Sequence, residues 1–388
     1  MITRHLSSRT FSPALVGALY YWFYWSFVAV YDPYLNVYLA QLGLNGVQLG
    51  ILATILPLAM LIYSPFVAAL ADQHGRLRIL KLLIAGWGVL LLFMQLPRTF
   101  WGILPLIIIL AVTRTPTIPI GDSIVARMTN RHNLNFGSMR LWGSIGFASF
   151  SILCGFIWEQ TGFAPMFWTA AVLSIPAIYI TAKLDEGPLE TSQSRPSMRL
   201  LLQDKSLVVL LIIAFLAGIP LVSTYVFGGI TMTAIGGSET HIGFMFGMSA
   251  LGEVPTMLTS NSIIRRLRAP QSILLSLLIM SLALVGYALA TAPWILILAS
   301  VGKGLGYGLF IITLVRLVDE RAGAWASTAQ SMMNAAMIGL APLLTSPLSG
   351  YVFDRWGAQV LFASVSGSLF ASAVLMGWAL HRGWFSKG

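Results

Sequence analysis

The run Leu207-Val-Val-Leu-Leu-Ile-Ile-Ala-Phe-Leu-Ala-Gly-Ile-Pro-Leu-Val222 decides the fold class, because it contains no charged or polar side chain. The predominantly apolar sequence continues to residue 234, which exceeds the roughly 20 residues that a helix needs to cross a bilayer. Inside lipid every backbone amide needs a hydrogen-bond partner, so only helices and closed barrels span a membrane. The run is continuous and does not alternate, which predicts a transmembrane helix over 207–234.

The same kind of run recurs along the chain, whose 388 residues are 57% hydrophobic and 9% charged. Soluble domains carry about 25% charged residues, so most of this chain is expected to lie in lipid. We predict twelve spans, at 11–39, 47–71, 78–96, 102–125, 137–158, 164–183, 207–234, 241–262, 270–290, 294–318, 326–349 and 358–380. The polar stretch 184–206 is a predicted cytoplasmic linker between two six-helix bundles, 1–183 and 207–388. The predicted fold is an all-α membrane protein.

Lysine and arginine residues test this topology through the positive-inside rule. With the N-terminus in the cytoplasm, 19 of these 23 residues lie in inner segments. Arg98 and Arg355 lie in outer loops, and Arg114 and Lys303 lie within spans. This bias supports an even number of spans with both termini in the cytoplasm, in a plasma (inner) membrane. The net charge of +10 then serves topology and contact with anionic lipid, and nucleic acid is not an expected partner.

Two segments half a chain apart share one pattern. Gly155-Phe-Ile-Trp-Glu-Gln-Thr-Gly162 ends predicted span five, and Gly350-Tyr-Val-Phe-Asp-Arg-Trp-Gly357 ends predicted span eleven. Residue 350 follows residue 155 by 195 positions, and both segments read Gly-x-x-x-acid-x-x-Gly. A repeat at half the chain length predicts two pseudo-symmetric bundles around a central site.

The loop after predicted span two reads Ala68-Ala-Leu-Ala-Asp-Gln-His-Gly-Arg-Leu-Arg78. Gly75 permits a tight turn, and Asp72 precedes the start of span three, where a carboxylate favours a helix N-terminus. The segment resembles the loop motif Gly-x-Leu-Ala-Asp-Arg-x-Gly-Arg-Lys of the major facilitator superfamily, with departures at Ala68, Gln73 and Leu77. The resemblance implies that Asp72, Gly75 and Arg76 take part in conformational gating and that the loop stabilises the outward-facing state.

A second set of residues narrows the resemblance. Pro119-Ile-Gly-Asp122, Phe136-Gly-Ser-Met-Arg-Leu-Trp-Gly-Ser144 and Gly252-Glu-Val254 are similar to the branch that holds lactose permease and the phenylpropionate permeases, which are proton symporters. Members of that branch often carry an arginine in span nine and a histidine in span ten. This chain has Leu284-Val-Gly-Tyr287 and Gly302-Lys-Gly304 at these places. The resemblance therefore does not imply that this chain shares all of the proton-coupling and substrate-binding residues of the branch.

Ionisable side chains within spans are costly, so each one is a candidate functional group with a partner to find. Asp122 and Arg140 lie near the inner ends of predicted spans four and five, at similar depth, and can form an ion pair. The resemblance implies that this pair binds substrate, with Ser144 and Phe147 further along the same helix face. A purely structural pair that holds two helices together is the alternative.

Four more charged residues lie deeper in the predicted spans: Glu253, Arg114, Lys303 and, toward the outer side, Asp32. A buried unpaired charge is strongly destabilising, so mutual pairing is the default expectation. A carboxyl group balanced between burial and a nearby cation can gain and lose a proton. Glu253 is the first candidate for proton coupling and Asp32 the second. Arg114 and Lys303 are candidate substrate ligands, and Lys303 can instead neutralise a carboxylate, which we slightly favour. A charge-balanced network that never titrates is the alternative.

Predicted span one carries an aromatic stripe at helical spacing that includes Tyr24, Phe27 and Tyr31 and ends beside Asp32. Such a face offers stacking and hydroxyl contacts, and we predict that it lines a substrate cavity; packing between helices is the alternative. Asn334 in predicted span eleven is a further polar candidate for substrate contact.

These features predict a secondary active transporter that couples a small polar organic solute (a sugar, nucleoside or aromatic acid) to protons by alternating access. A proton-driven exporter or uncoupled facilitator of the same fold is the second hypothesis, and a non-transporting membrane receptor is the third. The sequence shows no nucleotide-binding or catalytic motif, and its single cysteine and five histidines suggest no metal cluster. We therefore expect no enzyme activity and no cofactor, with the proton gradient as energy source, and a monomer as the working unit.

Overall fold

The computed structural model describes residues 12–186 and 201–385, and all regular secondary structure in these ranges is helical. The helices are α1 (Pro13–Gln41), α2 (Gly46–Ile62), α3 (Ser64–His74), α4 (Arg76–Phe93), α5 (Phe100–Arg114), α6 (Thr117–Arg131), α7 (Phe136–Thr161), α8 (Met166–Thr181), α9 (Lys205–Ala234), α10 (Glu239–Leu267), α11 (Ala269–Ala288), α12 (Pro293–Ala322), α13 (Ala326–Asn334) and α14 (Ala341–His381). A 3₁₀ turn (Gly323–Trp325) precedes α13, and a π-helical segment (Ala335–Leu340) follows it. The predicted start of span one, the linker residues 187–200 and the charges predicted at Arg4, Arg9, Glu190, Arg195, Arg199 and Lys387 lie outside the described residues.

Local sequence explains several helix starts. Asn45 accepts a hydrogen bond from the backbone of Gln48 at 2.9 Å, while the Gln48 side chain accepts one from the backbone of Asn45 at 3.1 Å. This reciprocal capping box satisfies amide groups that have no partner within the helix. Asp204 caps α9 in the same sense, since its Oδ1 accepts a 2.7 Å bond from the backbone of Ser206.

Two predicted spans are bent or broken, and a further break separates two others. Predicted span two consists of α2 and α3, which meet at an angle of 47°. Predicted span four consists of α5 and α6, separated at Thr115 and Pro116, because proline lacks the amide that a continuous helix needs. Predicted spans eleven and twelve meet at Gly357, where φ is 81° and ψ is 179°, so the chain leaves the helical conformation there.

Within the described ranges, seven helical units are long and apolar enough to cross a membrane: Pro13–Gln41, Phe100–Arg131, Phe136–Thr161, Lys205–Ala234, Ala269–Ala288, Pro293–Ala322 and Ala326–His381. The bent pair α2–α3 gives an eighth. The last unit is 56 residues long, about twice what one crossing needs. The chain is therefore an all-helical protein with several membrane-spanning helices.

The two halves of the chain meet along two helix pairs, α7 with α10 and α2 with α14. We call the end of the molecule that holds residues 41–46, 161–166 and 234–239 the outer end, following the charge bias. There the backbones touch closely: a Cβ on Gly46 would lie 2.8 Å from the carbonyl oxygen of Gly350, and one on Gly155 would lie 2.8 Å from that of Glu239. Small residues at these positions permit this approach.

Candidate functional site

A first polar cluster lies where α1, α6 and α7 meet. The Tyr21 hydroxyl donates a 2.6 Å hydrogen bond to Asp122 Oδ1. The Arg140 guanidinium lies over the ring of Tyr21 at 5.3 Å and over that of Trp25 at 4.8 Å. The predicted ion pair of Asp122 and Arg140 is absent, because no oxygen and nitrogen of the two come within 4.0 Å in this described part of the chain. Tyr21 stands between the two charges and connects them.

Arg140 has no hydrogen-bond acceptor among residues 12–186 and 201–385, although two aromatic rings hold its position. Phe147 extends this aromatic wall, with its ring centroid 6.2 Å from that of Trp25. Ser144 lies one turn beyond Arg140 and is partly exposed. A guanidinium presents five N–H donors in a planar fork, so the cluster offers free donors beside a flat apolar surface.

A second cluster lies in the other half of the chain. Glu253 on α10 and Lys303 on α12 interact electrostatically, and Glu253 also senses Arg140 across the interface between the halves. Neither has an ion-pair partner within 4.0 Å in the described ranges. Lys303 Nζ donates a 3.4 Å hydrogen bond to the Thr224 hydroxyl, its one hydrogen bond among the described residues. Glu253 and Lys303, like Arg140, are therefore charged groups without an ion pair in the described part of the chain.

The other two buried charged residues, Asp32 and Arg114, form an ion pair with each other. Arg114 binds Asp32 through both terminal nitrogens, at 2.6 and 2.7 Å, and its guanidinium lies 5.4 Å from the centroid of the Trp87 ring. The hydroxyl of Tyr225, on α9, also donates to Asp32. Asp32, the second candidate for proton coupling, and Arg114, a candidate substrate ligand, are thus bonded to each other. Through Tyr225, Asp32 also connects the two halves of the chain. The expectation of mutual pairing holds for these two residues.

The aromatic stripe of α1 is packed inside the first half of the chain. The ring centroids of Phe27 and Trp87 lie 4.4 Å apart, and Trp87 Nε1 donates to the Tyr31 hydroxyl at 3.0 Å. The Tyr24 hydroxyl pairs with the Thr117 hydroxyl at 2.7 Å. All three stripe residues are at most 2% exposed, so in this structure they pack between helices and face no open cavity; their role in substrate contact stays a prediction.

Sequence reasoning selected the face of α1 that holds Tyr24 and did not select Tyr21 and Trp25, which lie beside Arg140. They lie four residues apart and therefore share a helix face, next to the face that holds Tyr24. The signal was present in Asp122, since a buried carboxylate needs a donor and a tyrosine hydroxyl one helix away supplies it. Tyr225 and Trp87 gave no such signal. Asn334 ends α13, and its side chain makes no hydrogen bond in the described ranges.

The loop at Asp72, Gly75 and Arg76 joins α3 to α4. Gly75 has a φ of 94°, which explains the glycine. Asp72 accepts a 2.5 Å bond from Arg76 Nε rather than capping α4; the carboxylate at that helix start is Glu186, which accepts from the backbone of Arg76. Arg76 also donates to the Ser123 hydroxyl at 3.3 Å. The expected position of Asp72 at the helix N-terminus is therefore corrected.

The two repeated acids both close the outer end. Asp354 accepts hydrogen bonds from the backbone amides of Gly46 at 2.7 Å and Val47 at 3.0 Å, at the start of α2. Glu159 accepts a 2.9 Å bond from the hydroxyl of Ser238, the N-cap residue of α10. Each acid thus reaches a helix start in the opposite half of the chain, where negative charge is favoured. We call these two contacts the outer latches.

Comparison with known proteins fits this architecture. Residues 15–364 match the model of the family described as MFS_1 like. The chain belongs to the MFS_1-like family. This MFS_1-like chain is 28% identical to the maltose permease of Geobacillus stearothermophilus over 359 residues, with 89% of both chains covered. It is 22% identical to the probable 3-phenylpropionic acid transporter of Escherichia coli (strain K12) over 362 residues, which cover 89% of this chain and 92% of that protein.

A crystal structure of the nucleoside transporter NupG superimposes with a TM-score of 0.80 at 18% identity, covering 97% of this chain and 100% of that one. This likeness shows a shared fold. The predicted resemblance to the major facilitator superfamily is confirmed. The relatives and neighbours of this MFS_1-like protein are transporters and not enzymes, and the chain is a multi-pass membrane protein of that class.

Proposed function

We propose that this protein is a proton-coupled secondary transporter that takes up a small polar organic solute by alternating access. One observation carries the proposal: Glu253 interacts electrostatically with Lys303 in its own half and with Arg140 in the other half, while none of the three forms an ion pair within residues 12–186 and 201–385. A structural network would have paired these groups directly, because unpaired buried charges are destabilising. Free interior charges are the typical signature of a transport pathway.

The solute is proposed to bind between the halves. Arg140 would donate to solute hydroxyl or carbonyl oxygens while Trp25 and Phe147 stack on its apolar face, as aromatic residues commonly do in ligand sites. Lys303 and Ser144 would contribute further polar contacts. The names of the relatives support sugars, nucleosides and aromatic acids as the solutes to test.

Glu253 is proposed to carry the proton. Its protonation changes the charge of the site by one unit, directly opposite the cations that would hold the solute. Any such change must alter solute affinity, and by linkage the solute must alter proton affinity equally. Asp32 is no longer the second candidate, since Arg114 and Tyr225 already satisfy it.

The proposed topology has twelve spans in two pseudo-symmetric bundles, 1–183 and 207–388. The protein is proposed to lie in the plasma (inner) membrane with both termini in the cytoplasm. The break at Gly357 supports the span count, since it divides the 56-residue helical unit Ala326–His381 between predicted spans eleven and twelve. The outer latches are engaged, which supports a state closed to the outside. The loop of Asp72 then gates the opposite, inner side. The proposed working unit is a monomer without a cofactor, and nucleic acid is not a proposed partner.

The test is flux into proteoliposomes that contain the full-length protein. With an acidic exterior, we expect accumulation of radiolabelled maltose, uridine or 3-phenylpropionate above the outside concentration, and collapse of that gradient with a protonophore. Glu253→Gln should abolish this accumulation but retain exchange of solute between the two sides. Glu320→Gln, which alters a partly exposed acid paired with Arg316, is the matched control and should behave as the unaltered protein.

Each other outcome assigns a different function. Unchanged accumulation by Glu253→Gln would show that another group carries the proton. Equilibration without accumulation would identify an uncoupled facilitator, and solute expulsion driven by the proton gradient would identify an exporter. Solute binding without any flux would identify a receptor.

A further inference from the structure

A groove of about 480 Å³ lies between the start of α9 and the end of α14. Val208, Ile212 and Leu375 form its apolar floor, and Trp378 and Trp384 form one wall. The two indole rings meet edge to face with centroids 4.7 Å apart. Because α9 starts and α14 ends here, the groove opens at the level of the inner membrane surface, on the proposed topology. Tryptophan is enriched at that level.

Two cations flank the groove. Lys205 Nζ lies 5.8 Å from the centroid of the Trp384 ring, and the Arg382 guanidinium lies 5.7 Å from that of Trp378. Both side chains are exposed, and neither has a carboxylate partner in the described ranges. The adjacent acid, Asp204, is occupied by the backbone of Ser206 and Leu207. Aromatic rings therefore orient the cations, and no carboxylate of residues 12–186 or 201–385 pairs with them.

We propose that this groove binds one anionic phospholipid of the inner leaflet. Lys205 and Arg382 hold the phosphate, because basic groups between helices at the cytoplasmic surface attract anionic headgroups. The indole rings lie beside the glycerol region, and one acyl chain follows Val208, Ile212 and Leu375 along the helices. Charge and shape fit together here: the apolar floor suits an acyl chain, which a soluble phosphate lacks.

The test measures lipid adducts of the full-length, detergent-solubilised protein by native mass spectrometry. Dioleoyl phosphatidylglycerol and dioleoyl phosphatidylcholine are supplied at equal concentration. Each cation near an anionic surface contributes roughly a fivefold preference, so we expect at least five times more phosphatidylglycerol adduct than phosphatidylcholine adduct. The double variant Lys205→Gln and Arg382→Gln should reduce this ratio to about twofold or less.

The matched control is Arg265→Gln with Arg266→Gln, which removes the same charge at the inner end of α10, away from the groove. It should retain the lipid preference. No preference in the unaltered protein, or an equal loss in the control, would overturn the proposal, since surface charge alone would then explain binding. Displacement of the lipid by glycerol phosphate would also overturn it, because it would identify a site for soluble phosphate. Transport activity is not measured, so the result does not depend on solute transport, and only the leaflet assignment rests on the proposed topology.

Discussion

The outer latches make a quantitative prediction about the conformational equilibrium. Asp354 and Glu159 each place a carboxylate at a helix start in the opposite half of the chain, with bonds of 2.7 to 3.0 Å. Replacing them with Asn and Gln preserves size and leaves an oxygen acceptor but removes the charge. The double variant Asp354→Asn and Glu159→Gln should therefore weaken closure of the outer end without altering the fold.

The size of the effect follows from the exposure of the latches. A carboxylate at an exposed helix N-terminus contributes roughly 0.3–1 kcal/mol. Two latches that act together contribute up to about 2 kcal/mol, which corresponds to a shift of roughly thirtyfold in an equilibrium constant. Each single variant should shift the equilibrium by up to about fivefold, because the two latches lie on separate helix pairs and should be additive.

The assay is a distance measurement between spin labels at the outer end. Labels at Thr99 and Thr291, which are exposed residues in opposite halves of the chain, are attached to introduced cysteines in a Cys154→Ser background. Double electron–electron resonance should show a longer-distance population that grows in each single variant and grows most in the double variant. Arg355→Gln, beside Asp354 but without a latch bond, is the control. An unchanged distance distribution in the double variant would refute the assigned role of the latches.

Three further results are expected. Arg140→Lys keeps the charge but loses the planar fork, so the solute dissociation constant in a binding titration should rise by roughly tenfold or more; an unchanged constant would remove Arg140 from the site. Tyr225→Phe deletes the hydrogen bond to Asp32, and the Thr99–Thr291 spin labels should report more of the long distance; a distribution identical to the parent would exclude this bridge from closure. Trp87→Ala empties a fully buried site, and thermal unfolding in detergent should show a loss of about 3 kcal/mol, whereas Trp87→Phe should lose less; equal stability of both would contradict the packing described.

Sequence reasoning located the helices and the superfamily, because both depend on patterns along the chain, such as apolar runs and short motifs. Apolar runs located the helices, because the bilayer requires long stretches of that composition. The loop at Asp72 and the Arg140 segment identified the superfamily. The matching segments at Glu159 and Asp354 were found as a repeat, but their role needed coordinates, since the helix starts that they reach lie in distant parts of the chain.

The sequence could not decide which side of a helix lies beside Arg140. Tyr24 and Trp25 are adjacent in the sequence, so their side chains point about 100° apart around one helix. Both faces of α1 are aromatic, and composition therefore could not separate the packed face from the face that holds Arg140. The pairing of Asp32 with Arg114 and Tyr225 likewise depended on rotation about three helix axes.

By itself, then, the sequence determined that this protein lies in a lipid bilayer and that its fold is all-helical. It also identified a short set of charged residues within the predicted spans, where burial of a charge is costly. Those properties depend on composition and spacing along one chain. Only the tertiary structure decided which charges are neutralised, leaving Glu253 and Lys303 free while it bound Asp32 to Arg114. The physical reason is that ion pairing requires contact within a few ångströms, and such contact is set by how helices from both halves of the chain pack together.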